Sequence, residues 1–151
     1  MIKNLFQTKF LVLFILILIA FIRSPYIFLK GRFMYGDAFF YVNSLNNNWY
    51  ESLFLIHKEA GYINLFSNIS SVINAKIINI EYAPLFNVYF CFLLIIILVC
   101  LVLFSNIILF KSNFQKYLVC VLLFVAPPFV FEIWLDALNA QTYLAVITFV
   151  I

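Results

Sequence analysis

Hydrophobic positions follow two patterns along this chain. Apolar runs occupy residues 6–22, 86–110, 117–135 and 141–151. Between the first two, over residues 23–85, apolar and polar positions alternate with a helical period. Runs of the first kind fit membrane-spanning helices, which need roughly 20 predominantly apolar residues. The first has a core, Phe10–Ile22, without Gly or Pro, preceded by Lys3 and Lys9. A basic start and short apolar core also describe a signal peptide. However, the sequence continues Arg23-Ser24-Pro25-Tyr26 with no small-residue cleavage site, so an uncleaved first transmembrane helix is expected. Pro84 stands just ahead of the second run, where proline does not break a helix. Pro127-Pro128 should kink or end the third. The fourth is still apolar at Ile151 and shorter than a span, so the sequence reads as the N-terminal part of a longer chain.

The 23–85 stretch is too long for an unstructured loop in a compact protein, and its pattern predicts helices. Tyr41, Val42, Leu45, Trp49, Leu53 and Ile56 recur after Ala38 at spacings of three and four, with the Asn46-Asn47-Asn48 triplet as a candidate end. Farther on, Tyr62, Leu65, Phe66, Ile69, Val72, Ile73, Ile77 and Ile80 form a stripe. Asn64, Ser67, Asn68, Ser70, Ser71, Asn74 and Asn79 fall mostly opposite. That predicts an amphipathic helix over 62–80, lying in the membrane interface or across other helices. Lys58-Glu59-Ala60-Gly61 separates the two helices. The expected fold is all-α: a polytopic helical membrane protein with about four transmembrane helices, the fourth truncated, and a helical extracytoplasmic loop after the first.

Composition strengthens this reading. Of 151 residues, 67% are hydrophobic and 10% charged, and the mean hydropathy is +1.12. A soluble domain is usually about 45–50% apolar and about 25% charged. The net charge of +3 gives no sign of a nucleic-acid partner. Its distribution gives an orientation: Lys111 and Lys116 occupy one short loop without acids, and Glu132 and Asp136 the next without bases. The positive-inside rule places the lysines, and with them the N-terminus, in the cytoplasm and the long loop outside. Arg23, Lys30 and Arg32 oppose this, but the rule is weak for long loops. Cys91, Cys100 and Cys120 lie within apolar runs and read as buried hydrophobes rather than ligands or a disulfide framework. No metal-binding cluster, Gly-rich phosphate loop or nucleophile elbow occurs, so neither metal nor cofactor is expected. The sequon Asn68-Ile69-Ser70 falls within an amphipathic helix and reads as chance.

Chemistry concentrates at Lys30-Gly31-Arg32-Phe33-Met34-Tyr35-Gly36-Asp37-Ala38-Phe39-Phe40-Tyr41, which sets one carboxylate among aromatic rings and two cations. Asp37 can be a helix cap, since a Gly-Asp pair ahead of an apolar run is a common start signal. It can also be a general base, and the roles are compatible. Arg32 and Lys30 are candidate phosphate contacts, with interfacial snorkelling the simpler account of Lys30.

Several motifs recur in an order that resembles the GT-C class of membrane glycosyltransferases, in particular bacterial members. They are Arg23-Ser24-Pro25, Tyr35-Gly36-Asp37-Ala38-Phe39-Phe40, His57-Lys58-Glu59-Ala60-Gly61-Tyr62, Ala83-Pro84-Leu85, Glu132, and Asn139-Ala140-Gln141. One departure is clear: the class has an acidic pair where this chain has Gly36-Asp37. The resemblance implies transfer of a sugar from a polyprenyl-phosphate donor to an extracytoplasmic glycan or lipid acceptor, in assembly of envelope polysaccharide at the bacterial cytoplasmic membrane. It makes Asp37 the catalytic base and Arg32, His57, Tyr62, Asn139 and Gln141 substrate-binding residues. Two other classes compete. A transporter, flippase or polysaccharide-assembly subunit should place ionisable residues or helix breaks at mid-membrane, and the first two segments have neither. A small structural membrane protein complete at Ile151 would leave the fourth segment unfinished.

Overall fold

A computed structural model describes residues 2–56, 61–104, 110, 112–125, 135–137 and 140–150. Its elements are α1 (Ile2–Arg23), α2 (Pro25–Lys30), α3 (Tyr35–Asn46), α4 (Trp49–Leu53), α5 (Leu65–Lys76), α6 (Ala83–Phe104), α7 (Asn113–Val125) and α8 (Ala140–Val150). The described part is all-α. One described helix, α6, is long and apolar enough to cross a membrane. The uninterrupted apolar part of α1, Phe10–Ile22, is shorter, because Gln7, Thr8 and Lys9 break its first turns. The apolar helix α7 is shorter too. His57, the Lys58–Ala60 linker, Lys111, the Pro127-Pro128 pair, Glu132 and Asn139 lie outside the described residues.

The helices α1, α6 and α7 form a bundle around Leu16, Ala20, Ile95, Leu98, Val99, Cys120 and Phe124. Aromatic contacts fix their directions. Phe10 and Lys9 near the start of α1 meet Phe104 at the end of α6, while Phe21 near its other end meets Phe92. The two helices are therefore antiparallel. Arg23 donates to the Phe124 carbonyl and so supplies one of the acceptors that the end of α7 leaves open, which sets α7 parallel to α1. Cations sort accordingly: Lys9 and Lys116 stand near one another at one end of the bundle, and Arg23 stands at the other. The cysteines are free, as expected.

The second layer shows which faces turn inward, a point the periodicity left open. As the triplet suggested, α3 ends at Asn46 before the short α4 begins. The helix predicted over 62–80 is α5, shorter by a few residues at each end, and at 12 residues it is too short to span a bilayer. Its polar face, however, is the inner one. Ser67, Asn68, Ser70, Ser71 and Asn74 are all buried, whereas Leu65 is 53% exposed and Ile77 63%. Val72 alone of the predicted stripe is fully inside. On α3 the inner side is mixed: Asp37, Phe40, Tyr41 and Ser44 are buried, and Val42 and Leu45 are largely exposed. Periodicity locates a stripe but does not say which side meets the protein. In water the apolar side goes inward; in lipid the preference can reverse, because hydrocarbon accepts apolar groups and rejects polar ones. The sequon is turned inward as well, since Asn68 is fully buried and its amide donates to the Leu53 and Leu55 carbonyls at 2.9 and 3.0 Å.

The layers join at Gly31. Its φ of +69° suits a residue without a side chain, and a Cβ there would come within 2.3 Å of the Leu85 nitrogen. The chain leaving α2 thus passes backbone to backbone over the first turn of α6. Phe28 reinforces the junction by packing on Phe21 and Phe92. Gly31→Ala should combine left-handed strain with a clash against main chain, lowering stability by roughly 2–4 kcal/mol. Thermal unfolding in detergent checks this: a loss no larger than that of Gly61→Ala, where φ is +68° but space is open, would mean that the close approach carries no weight.

Candidate functional site

The site grows from the N-terminus of α3. Asp37 is the third residue of that helix rather than the cap residue, which is Met34. Its Oδ2 accepts a long 3.5 Å bond from the Met34 amide, so the predicted capping role survives with the carboxylate reaching back from inside the first turn. A negative group there is favoured by the helix dipole. The main tie comes from α6: Asn87 donates its side-chain amide to Asp37 Oδ2 at 2.8 Å. The other end of that amide is held as well, because the Ser70 hydroxyl on α5 donates to Asn87 Oδ1 at 2.7 Å. Ser70 thereby determines which way Asn87 faces, and Asn87 determines where Asp37 sits.

The site's second carboxylate comes from the far end of the sequence. Asp136, between buried Leu135 and Ala137, is 2% exposed and hydrogen-bonds to Asp37, itself 3% exposed. Asp37 Oδ1 meets no N–H or O–H donor among the described residues. Two carboxyl groups in contact cannot both ionise readily at short range, so Asp37 keeps a proton. Burial first, and then the bond to and charge of Asp136, push the Asp37 pKa up to about 8, against the lowering pull of Met34 and Asn87. With its pKa near 8, Asp37 is largely protonated at neutral pH. Arg32, just past Gly31, feels both carboxylates; burial lowers its pKa while Asp136 and Asp37 raise it. As an arginine it stays charged, so it balances the pair. Cys91, one turn along α6 from Asn87, lines the same region and senses all three charges.

The structure brings Asp37 and Arg32 near one another and adds two partners that sequence reasoning did not name. It took Asp136 only as a topological marker, and a missing neighbour at Gly36 argued against a two-carboxylate site. The second acid is supplied by the fold. Asn87 had a usable signal: it is the one strongly polar side chain in the apolar run from Phe86 to Phe104, where such groups commonly hold helices together. Among the other expected binding residues, Tyr62 is half-buried in the turn before α5, and Gln141 is exposed in the first turn of α8. His57 and Asn139 fall outside the described residues. Lys30 is exposed, consistent with snorkelling. No three metal-ligating side chains gather among the described residues.

No family model matches this chain, and no curated protein or solved structure matches it either.

The raised carboxyl makes a thermodynamic prediction. Between its unfolded pKa near 3.8 and its folded value of about 8, the folded protein holds a proton that the unfolded chain has released. Stability should therefore fall as pH rises through that window and level off above it. Asp37→Asn removes the titrating group while keeping its size, so the unfolding temperature should vary much less between pH 5 and pH 8 than in the parent. Equal slopes for parent and variant would show that Asp37 does not hold that proton in the folded protein.

Proposed function

We propose that this chain is part of a polytopic membrane glycosyltransferase that moves a sugar from a polyprenyl-phosphate carrier to a glycan or lipid acceptor on the outer side of the bacterial cytoplasmic membrane. The observation that carries the reading is the buried Asp37–Asp136 pair, charge-balanced by Arg32 and held by Asn87. The order of motifs through the chain supports it, as does an acid where that order expects a base. Asp37, still partly ionised within the pair, would take the proton of an acceptor hydroxyl. The freed oxygen would bond to the anomeric carbon while the bond from that carbon to the phosphate oxygen breaks and the phosphate leaves with the electron pair. Arg32 is suited to meet the departing phosphate with charge-assisted hydrogen bonds.

Membrane placement belongs to the same proposal. The apolar helix α6 and the inverted face of α5 support it, and the gathering of Lys9 with Lys116 at one end supports a cytoplasmic N-terminus. In a variant lacking the native cysteines, Asn47→Cys between α3 and α4 should react with an impermeant thiol reagent added to intact cells. Labelling only after permeabilisation would reverse the orientation.

In the full-length gene product, Asp37→Asn should lower sugar transfer by about 100- to 10,000-fold while membrane insertion persists. Glu51→Gln should have little effect, because Glu51 serves as a local cap, accepting from the Asn48 amide at 3.1 Å. Asp136→Asn should act differently again. It removes influences that raise the Asp37 pKa, so the acid limb of the pH–rate profile should move to lower pH. Near-normal transfer by Asp37→Asn would defeat the assignment, and an unmoved profile in Asp136→Asn would separate the two acids.

A further inference from the structure

The most extensive helix pairing in the second layer joins α3 to α5, and its buried surfaces are unusually polar. Asp37, Tyr41 and Ser44 recur at i, i+4 and i+7 on α3, and Ser67, Ser70, Ser71 and Asn74 share one side of α5; all are buried. Many of these groups have nothing to bond. Asn74 is 1% exposed, yet neither its Oδ1 nor its Nδ2 has a partner among the described residues, and the hydroxyls of Ser44 and Ser67 have none either. Buried polar groups are ordinarily satisfied, so a cluster of exceptions calls for a cause. Enclosed water does not supply one. These atoms expose almost no surface to a water-sized sphere, so the closed seam has no room for water beside them. The seam is closed at a cost that opening would relieve.

Its connections suit opening. The bodies of α4 and α5 are tied together by Asn68, which donates to the Leu53 and Leu55 carbonyls, while α3 is separated from α4 by the break at Asn47 and Asn48. The Ser70–Asn87 bond anchors α5 close to Asp37. At the far end the closure is an exposed 3.3 Å bond from Lys76 Nζ to the Leu45 carbonyl.

We propose that the α3–α5 seam is the closed form of a cleft for a polyhydroxylated ligand, a sugar, that lies between Asn74 and Ser44 on one side and the Asp37–Asp136 pair on the other. Hydroxyls and amides on both walls match a ligand whose edges are all donors and acceptors. The ligand class rests on the sugar-transfer reading above; the opening does not, and its test measures access rather than transfer.

The experiment uses the full-length protein in membranes, with Cys91, Cys100 and Cys120 replaced by alanine. Ser44→Cys, and separately Ser67→Cys, is treated with N-ethylmaleimide. Ser52→Cys is the control: Ser52 is equally buried, but on α4 and already bonded to the Asn48 carbonyl at 2.8 Å. A seam that opens should give alkylation at least about tenfold faster at Ser44→Cys and Ser67→Cys than at the control, since reaction follows the open population. Adding Asn74→Leu, which puts an apolar side chain in the seam, should bring the rate down to the control's. Glucose, galactose, mannose and N-acetylglucosamine, each at about 100 mM to reach weak millimolar sites, form the ligand panel, and at least one should slow alkylation. Rates equal to the control's at both positions overturn the cleft. Fast alkylation that no sugar slows overturns the ligand. Either result leaves the Asp37→Asn transfer experiment standing on its own.

Discussion

The Ser70–Asn87–Asp37 chain of hydrogen bonds is the constraint from which the arrangement of the second layer follows. It links three helices through two short, buried bonds, where each bond is strengthened and each loss is costly. Asn87 lies on α6, so the chain attaches the α3–α5 layer to the apolar bundle at a fixed height. Without it, Asp37 would keep only the long contact to Met34 and its tie to Asp136, and nothing on α6 would determine where the carboxyl points. The Gly31 passage over Pro84 and Leu85 brings Arg32 to the same height from the other side. Cation and carboxylates therefore meet because two independent attachments to the first turns of α6 agree.

Much of this fold was legible in sequence, and the errors share one cause. Helix positions came out well because a period of three to four residues depends only on backbone geometry. The break between α3 and α4 came from the asparagine triplet, which favours local hydrogen bonds over helix continuation. The facing of α3 and α5 did not come out, because a stripe of Leu and Ile has no preference between core and lipid. The same ambiguity concealed the site. Asp37 and Arg32 are neighbours in the chain and could be paired by reading. Asp136 is far from them in sequence and meets them only in the fold, which no local pattern records. Asn87 was visible as a polar interruption, and its meaning depended on which face of α6 met α3 and α5.

Charge placement gives a second view of the same architecture. One end of the bundle gathers Lys9 and Lys116, and the described acids nearest the bundle, Asp37 and Asp136, lie at the opposite end. Asp37 is neutralised by the proton it keeps, and Arg32 stands beside both acids. A buried charge without such compensation would be expensive anywhere, and most of all near lipid.

The inverted layer also limits how the molecule can be taken apart. Residues 23–85 look in sequence like a loop that could be expressed alone as a water-soluble domain. Excised, that segment would present Leu65, Ile77, Val42 and Leu45 to water and lose Asn87, the anchor for Ser70 and Asp37. Its most stable arrangement in water would turn the helices over, bringing the aliphatic side chains in and the serines and asparagines out. Antibodies raised against such a fragment would recognise a surface that the intact protein keeps on its inside.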